Sequence, residues 1–280
     1  MQPPKGFKVS AHGAEYPAIG FGTLELGEKT APLVSQAIRD GYRHIDTARK
    51  YGSEEGVGEG IRLSGVPRED IWVTTKVTED NAREADFMNS VDTSLKTMKL
   101  DYIDLLLIHW PQPKVPLAET IGALVKAKRQ GLAKHIGVSN FTLALLDEAN
   151  RICPEPLVTN QLEFHAYLPQ QKLYDACRRY GMTITAYSPT ARAHLLTDPV
   201  VNEIARDRGK TAAQIALRYV IQHPGLAAVP RAFESAHAAE NLDIFDFELT
   251  DEEMARLRAL NQRNIRVVDP PERAPQWDAP

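Results

Sequence analysis

Eight short apolar runs alternate with longer amphipathic segments along most of this 280-residue chain. The runs are rich in aliphatic and β-branched residues, and they lie near 18–23, 43–48, 71–77, 102–110, 134–141, 156–164, 182–189 and 226–230. A segment of helical period follows each run, and the one at 198–222 is expected to form two helices broken near Gly209. Strands that alternate with helices pair in parallel through right-handed crossovers. Eight such units in about 240 residues predict a closed (β/α)8 or TIM barrel, as a single domain over 1–280.

Two segments are expected outside the eight units. Alternation around His12-Gly13 predicts a small β-hairpin before the first barrel strand. The Pro-rich tail at 262–280 is expected to lie as a loop over the barrel, because it has too many prolines for a helix.

The alternative fold is an open, doubly wound sheet. Its dinucleotide site needs the spacing G-x-G-x-x-G directly after the first strand, whereas this chain has GFGT at 20–23 with no third glycine. The glycines of GVGEG at 56–60 have the wrong spacing, and we interpret them as sites of close helix packing.

Composition argues against several classes of protein. A formal net charge of −4 gives no strong field for nucleic acid, so no nucleic-acid partner is expected. Two cysteines do not make a disulfide framework, which favours a reducing cytoplasm. The first 20 residues contain no apolar signal-peptide core, and the most apolar run, IDLLLIHW, is too short to span a membrane. We therefore expect a cytoplasmic protein with no membrane partner.

Four polar residues fall at the predicted carboxyl ends of strands two to four or just beyond them. Asp46 ends strand two, Tyr51 lies in the loop behind it, Lys76 ends strand three and His109 ends strand four. The catalytic groups of a barrel lie at that rim, and neighbouring strand ends converge within roughly 10 Å. A buried Asp46 and a buried Lys76 are natural partners, since each is costly when unpaired.

These residues suit acid–base chemistry on a carbonyl group. A free tyrosine has a pKa near 10, and a lysine held beside the phenol is expected to lower it. Tyr51 would then be a general acid, while His109 polarises a carbonyl oxygen through a hydrogen bond. Isolated strand-end residues of these types are, however, often structural. A metal site of His44, Asp46 and His109 is a further alternative. Lys76 would repel the cation there, so no metal is expected.

Several longer motifs can be matched to a known pattern. They are GYRHIDTARKYGSEEGVGEGI, TTKV, DYIDLLLIHWP, GVSNF, NQLEFHAYLPQ and AYSP. Their order and spacing resemble the aldo-keto reductase family from about residue 7 to 278, with most similarity to bacterial members of the diketogluconate reductase type. The resemblance implies a (β/α)8 barrel that reduces aldehydes, ketones or keto-sugars with NAD(P)H. By position it makes Tyr51 the proton donor, with Lys76, Asp46 and His109 supporting it.

The resemblance also implies a cofactor site at the same rim. Ser139, Asn140 and Gln161 match the residues that bind the nicotinamide carboxamide, and Tyr187 matches the aromatic residue that stacks on the ring. The residues matched to the cofactor trough and the pyrophosphate loop are Gly22, Thr23, Ser188, Pro189 and Arg192. In that loop Thr190 stands where leucine is common and Ala193 where glycine is common.

The stretch VPRAFESAHAAEN departs from the family pattern at the adenosine end of the site. The residues matched there are Arg231, Ala232, Phe233, His237, Glu240 and Asn241. Arg231 replaces a lysine, Ala232 a serine and His237 an arginine of NADPH-preferring members. Fewer donors and charges for a 2′-phosphate predict NADPH binding with appreciable use of NADH. In the alternative interpretation, Arg231 alone compensates.

The substrate pocket is matched to Leu24, Trp110 and His109, with the tail closing it. Leu24 stands where many members carry an aromatic residue, and the loop PQPKVP is short. These features indicate small aldehydes, ketones or keto-sugars as substrates. The resemblance also implies a monomer. The alternative function is a cofactor-binding or regulatory barrel without turnover, against which the intact set of four polar residues argues.

Overall fold

Eight parallel strands follow one another in chain order around a common axis in the computed structural model, which describes residues 7–279. The strands are β3 (Phe21–Gly22), β4 (His44–Asp46), β5 (Trp72–Val77), β6 (Ile103–Ile108), β7 (Ala133–Ser139), β8 (Leu157–Glu163), β9 (Thr183–Tyr187) and β10 (Leu226–Ala228). All seven neighbouring pairs are parallel. Because each strand is buried on both faces, the strands are near-continuous apolar runs in the sequence.

Helices follow the strands, as the segments of helical period predict. They are α1 (Thr30–Asp40), α2 (Glu54–Ser64), α3 (Glu84–Met98), α4 (Leu117–Arg129), α5 (Leu143–Ile152), α6 (Gln171–Arg179), α7 (Pro199–Arg208), α8 (Ala212–Ile221), α9 (Ser235–Leu242) and α10 (Asp251–Ala259). The predicted break near Gly209 is present, because this glycine ends α7 with a φ of 62°. Thr211 and Gln214 then form a capping box that starts α8.

Hydrogen bonds between the first and last strands close the barrel. The Gly20 amide donates to the Ala228 carbonyl at 2.9 Å, and the Gly22 amide donates to the Pro230 carbonyl at 2.9 Å. A Cβ atom on Gly22 would lie 2.8 Å from the Val229 carbonyl oxygen, so the closure needs a glycine there. The (β/α)8 prediction is thus confirmed, and the open-sheet alternative is wrong.

A hairpin covers the amino-terminal end of the barrel, as expected. Its strands, β1 (Lys8–Ala11) and β2 (Ala14–Pro17), are antiparallel and joined by His12 and Gly13, both with positive φ. Tyr16 on β2 is fully buried and stacks on Trp72 at a centroid distance of 4.9 Å. Its hydroxyl lies 2.7 Å from Thr183 Oγ1 at the start of β9. The hairpin therefore forms the floor of the barrel, opposite the rim that carries the candidate site.

The glycines of GVGEG allow α2 to pack closely on its neighbours, as interpreted from the sequence. A Cβ atom on Gly58 would lie 2.0 Å from the Met98 carbonyl oxygen at the end of α3. One on Gly60 would lie 2.7 Å from Val34 Cβ of α1. Side chains at these positions would push the helices apart.

The tail crosses the carboxyl end of the barrel. The Val267 and Val268 amides donate to the two oxygens of Glu163, at 2.7 and 2.9 Å, at the end of β8. Near the end of the tail, the Asp278 carboxylate accepts a hydrogen bond from the Leu143 amide at 2.9 Å. The loop predicted over the barrel is therefore tied to it by hydrogen bonds between backbone amides and side-chain carboxylates. Within residues 7–279, no helix combines the length and apolar character needed to cross a bilayer.

Candidate active site

A buried ion pair joins the ends of β4 and β5. Lys76 is fully buried, and its Nζ donates to Asp46 Oδ1 and to the Thr47 carbonyl, both at 2.7 Å. Gln161 Nε2 donates to the other Asp46 oxygen at 2.7 Å. Burial lowers the pKa of Lys76, and the Asp46 carboxylate opposes that shift. The structure thus brings Asp46 and Lys76 together, as predicted from the free-energy cost of burying either charge without a partner.

Tyr51 and His109 meet beside this pair. Tyr51 lies in a 3-10 helix, Arg49–Tyr51, that begins three residues after β4. Its ring is 5.6 Å from the His109 ring at an interplanar angle of 78°, and Lys76 Nζ is 5.2 Å from the Tyr51 ring centroid. The four residues that the sequence placed at the rim therefore form one cluster.

The resting pKa of Tyr51 differs from the expectation. Burial raises it above its usual value, the Asp46 carboxylate adds to the shift, and Arg273 opposes it. Desolvation of the buried phenol is the main reason for the difference, and Lys76 Nζ donates to Asp46 and to the Thr47 carbonyl rather than to the phenol. The lysine therefore does not outweigh desolvation of the phenolate in the resting site.

His109 is held as a neutral side chain at the end of β6. Its amide donates to the Val77 carbonyl at 2.9 Å, while its Nδ1 is buried without a hydrogen-bond partner in the described part of the chain. Burial lowers the pKa of His109 well below its usual value, and the positive charges of Lys76, Arg273 and Lys50 lower it further. A neutral imidazole offers one N–H donor and one acceptor nitrogen.

His44 does not join this cluster. Its Nδ1 is 3.3 Å from the Pro17 carbonyl oxygen, and its Nε2 is 3.3 Å from Thr74 Oγ1. It faces the hairpin, with its ring 5.4 Å from that of Tyr16. Across residues 7–279, no group of three or more His, Cys, Asp and Glu side chains could hold a metal ion. The geometry gives no support to the alternative metal site.

The residues matched to the nicotinamide form one network with the cluster. Ser139 Oγ donates to the Gln161 carbonyl at 2.8 Å, and Asn140 Nδ2 donates to the His109 carbonyl at 2.9 Å. The Tyr187 hydroxyl donates to Asn140 Oδ1 at 2.6 Å. The side-chain NH2 group of Gln161 donates to Asp46. The side-chain oxygen of Gln161, Oε1, is therefore the acceptor left for a ligand amide. These residues thus fit a carboxamide-bearing ring at the rim.

The loop after β9 is folded through left-handed residues. Ser188, Ala191, Arg192 and Ala193 have φ values of 49°, 51°, 50° and 72°. Pro189 and Ala191 are buried, whereas Arg192 is exposed. Ala193 therefore adopts the conformation that the glycine common in the family would adopt without a steric cost.

The residues matched to the adenosine end lie around α9. Ala232 and Asn241 are buried, His237 is exposed, and the Glu240 carboxylate accepts a hydrogen bond from Thr211 Oγ1 at 2.6 Å. Arg231 lies 4.4 Å over the Phe233 ring and donates to the Glu25 carboxylate. Glu25 was missed by the sequence analysis, since no motif marks an ion pair between residues 206 apart.

Two tryptophans lie beside the cluster, where the sequence predicted the substrate pocket. Trp110 is buried directly after His109, and its ring is 6.1 Å from that of Trp277 in the tail. Leu24 is partly exposed, and its carbonyl accepts from Arg231 at 2.9 Å. Arg273 of the tail lies 5.8 Å from the Trp110 ring centroid, and sequence reasoning missed it because its place depends on how the tail folds back.

Comparisons with known proteins agree with this geometry. A sequence model of the aldo/keto reductase family matches residues 18–262. Glyoxal reductase of Bacillus subtilis (strain 168) is 40% identical over 253 residues, which are 90% of this chain and 91% of the relative. Methylglyoxal reductase DkgB of Yersinia pestis is 37% identical over 266 residues, 94% of this chain and 99% of the relative.

Solved structures have the same fold. One, described as "a putative 2,5-diketo-D-gluconic acid reductase B", is 44% identical with a TM-score of 0.95 and covers 100% of this chain and 98% of its own. A Bombyx mori aldo-keto reductase in complex with NADP is 33% identical with a TM-score of 0.88, covering 96% of each chain. Relatives of this kind are carbonyl-reducing oxidoreductases by name. The chain therefore belongs to the aldo/keto reductase family.

Proposed function

We propose that this protein reduces small aldehydes, ketones or keto-sugars to alcohols with NAD(P)H, and that Tyr51 is the proton donor. The observation that carries the proposal is the meeting of Tyr51, His109 and the buried Lys76–Asp46 pair at one rim. When bound, NAD(P)H supplies the hydride for the carbonyl carbon. The names of the relatives, which include glyoxal and methylglyoxal reductases, support small carbonyl compounds as substrates.

The protonation states of the cluster suit this role. A neutral His109 donates its N–H to the carbonyl oxygen and polarises it without becoming a competing acid. Tyr51, whose raised pKa keeps it protonated at neutral pH, gives its proton to the oxygen as negative charge develops there. The Lys76 charge, 5.2 Å from the ring, then stabilises the phenolate that remains. Asp46 holds Lys76 in place.

The same rim has residues for the cofactor. Ser139, Asn140 and Gln161 would hold the carboxamide, and the Tyr187 ring would lie against the nicotinamide. The trough at Gly22 and Thr23 and the loop from Ser188 to Arg192 would hold the pyrophosphate. NADPH is the proposed cofactor, with appreciable use of NADH, because Ala232 and His237 offer less to a 2′-phosphate than serine and arginine. We also propose that the protein acts as a monomer in the cytoplasm.

Substitution of Tyr51 by phenylalanine tests the proposal. The change removes the acid but keeps the ring, so reduction of glyoxal, methylglyoxal and 4-nitrobenzaldehyde should fall by at least roughly 100-fold. Cofactor binding, followed by protein fluorescence, should survive. Tyr174→Phe is the matched control, because the Tyr174 hydroxyl bonds the Pro224 carbonyl on the surface. Near-normal turnover in Tyr51→Phe would refute the assignment, and cofactor binding without reduction of any carbonyl in the wild type would favour the regulatory barrel.

A further inference from the structure

The turn that carries Tyr51 is tied to the helix that follows it. Tyr51 is the last residue of its 3-10 helix, and α2 begins three residues later at Glu54. Arg49, the first residue of the same 3-10 helix, donates from Nη1 to Glu54 Oε2 at 3.2 Å. The hydroxyls of Thr47 and Ser53 lie 2.9 Å apart. Two side-chain contacts therefore close this loop around the proposed proton donor.

Glu54 also reaches the wall of the barrel. Its other oxygen, Oε1, accepts a hydrogen bond from Thr75 Oγ1 at 2.8 Å. Thr75 lies in β5 directly before Lys76. Because side chains alternate along a strand, Thr75 faces the helices while Lys76 faces the cluster. The two oxygens of Glu54 thus join the turn of Tyr51 to the strand of Lys76.

The Glu54 carboxylate is buried, although it starts a helix on the outside of the barrel. Its side chain is 2% exposed, and Thr75 is fully buried. An acidic residue in the first turn of a helix is favourable at the surface as well, so α2 by itself does not require a buried one. A buried carboxylate is costly unless polar or charged groups satisfy it. In this structure the groups that satisfy it are those that fix the turn.

The charge of Glu54 also acts on Lys76. Burial lowers the pKa of Lys76, the Asp46 carboxylate opposes that shift most, and the Glu54 carboxylate adds to the opposition. Lys76 Nζ lies 5.2 Å from the Tyr51 ring centroid. One carboxylate therefore helps to keep the lysine charged and also holds the turn that places the phenol beside it.

We propose that Glu54 is a positioning residue for Tyr51: by bridging Arg49 and Thr75, its carboxylate holds the phenol in place for proton transfer without touching substrate or cofactor. The inference rests on the proposed function and adds a residue to the same site. The proposed carboxamide and ring contacts lie on β7, β8 and β9, away from Glu54. Loss of the Glu54 charge should therefore slow the chemical step and preserve binding, because a displacement of about 1 Å is enough to slow a reaction.

Glu54→Gln tests the inference. Glutamine keeps the size of the side chain and an acceptor for Thr75, but it removes the ion pair with Arg49. We would follow single turnovers of methylglyoxal and 4-nitrobenzaldehyde by NAD(P)H absorbance, which separates the chemical step from product release. The single-turnover rate should fall by roughly 10- to 100-fold, while cofactor affinity and substrate half-saturation change by less than about threefold.

A second pair of variants tests the contact with β5. Thr75→Val removes the hydrogen bond to Glu54 without changing any charge, and it should also slow the single turnover. Thr75→Ser keeps the hydroxyl and should keep most of the wild-type rate. A valine variant as fast as the serine variant would overturn the bridging role of Glu54.

Asp104→Asn is the matched control for a loss of stability alone. Asp104 is also a buried carboxylate paired with an arginine, since Arg68 Nη2 lies 2.6 Å from its Oδ2. It lies at the start of β6, at the end of the barrel opposite the rim. Asp104→Asn should lower the midpoint of denaturant unfolding and leave the single-turnover rate unchanged.

A double-mutant cycle with Tyr51→Phe identifies the route of the effect. If Glu54 acts through the phenol, Glu54→Gln should cost little further rate in Tyr51→Phe, which has no phenolic proton to place. The inference is overturned if Glu54→Gln keeps the wild-type rate, if Asp104→Asn slows turnover as much, or if Glu54→Gln costs as much in Tyr51→Phe as in the wild type. A slow Tyr51→Phe with a normal Glu54→Gln overturns this inference alone, whereas a normal Tyr51→Phe refutes the proposed function.

Discussion

Arg231 and Glu25 form an ion pair that joins the loop after β3 to the chain after β10. The guanidinium also donates to the Leu24 carbonyl at 2.9 Å and lies over the Phe233 ring. In the proposed cofactor site, Arg231 would meet the 2′-phosphate of NADPH. That phosphate would have to compete with the Glu25 carboxylate and would be repelled by it, which adds a reason for weak discrimination between NADPH and NADH.

Removing the Glu25 charge should therefore raise the preference for NADPH. We expect Glu25→Gln to tighten NADPH binding by roughly two- to fivefold, as an exposed ion pair is worth little, and to leave NADH nearly unchanged. Titration of both cofactors by fluorescence measures this. Glu28→Gln is the control. Glu28 is exposed and lies three residues after Glu25, so this variant removes the same charge from a nearby position. Equal effects of the two variants would show that the loss of one negative charge matters, and not the ion pair of Glu25 with Arg231.

The adenosine end can be restored towards the pattern of NADPH-preferring members. Ala232→Ser with His237→Arg adds a hydroxyl and a permanent charge, and should raise the NADPH-to-NADH ratio of kcat/KM by about 10-fold or more. Ala232→Ser with Ala236→Arg adds the same charge one position earlier on α9 and is the control. If the wild type already prefers NADPH by more than about a thousandfold, the weakened preference is refuted.

The pH profile follows from the two shifted pKa values. Reduction needs neutral His109, which exists above its lowered pKa, and protonated Tyr51, which exists below its raised pKa. The window between them spans neutral pH, so kcat/KM for reduction should be flat from about pH 6 to 9. A decline centred near pH 7 would contradict this.

Lys76→Met should reduce turnover. It should also move the acidic limb of the pH profile, where His109 becomes protonated and activity falls, to higher pH. The change removes a charge that lowers the pKa of His109, and it leaves Asp46 unpaired beside the phenol. Lys134→Met, at the start of β7 and paired with Asp104, is the control and should keep the wild-type profile. An unchanged acidic limb in Lys76→Met would count against the electrostatic role of the lysine.

Two glycine substitutions test the close packing of α2. Gly58→Ala places a Cβ atom 2.0 Å from a backbone oxygen at the end of α3, so it should destabilise the fold by more than about 2 kcal/mol. Gly122→Ala, in an exposed part of α4 with nothing within 4 Å, should stabilise it by about 0.5–1 kcal/mol. Denaturant unfolding measures both. Similar stabilities of the two variants would show that α2 can shift without cost.

Much of the architecture was predictable because it depends on local patterns. Apolar runs and helical periods gave the eight units, Gly209 marked the break between α7 and α8, and His12-Gly13 marked the hairpin turn. The Asp46–Lys76 pair was also predictable, since two buried charges at adjacent strand ends have few other ways to be satisfied. The single-domain organisation over 1–280, which includes residues 1–6 and 280 outside the described range, stays a prediction, as do the monomeric state and the residue roles.

The tertiary structure alone decided the properties that depend on distance through space. The raised pKa of Tyr51 comes from burial and from the charge of the Asp46 carboxylate, neither of which is encoded in the spacing of the residues. The ion pair of Arg231 with Glu25 and the place of Arg273 beside Trp110 join segments far apart in the chain. A sequence pattern records the period of one element and the residue at its end. Which distant charge faces that residue is set only when the barrel closes and the tail folds back across its rim.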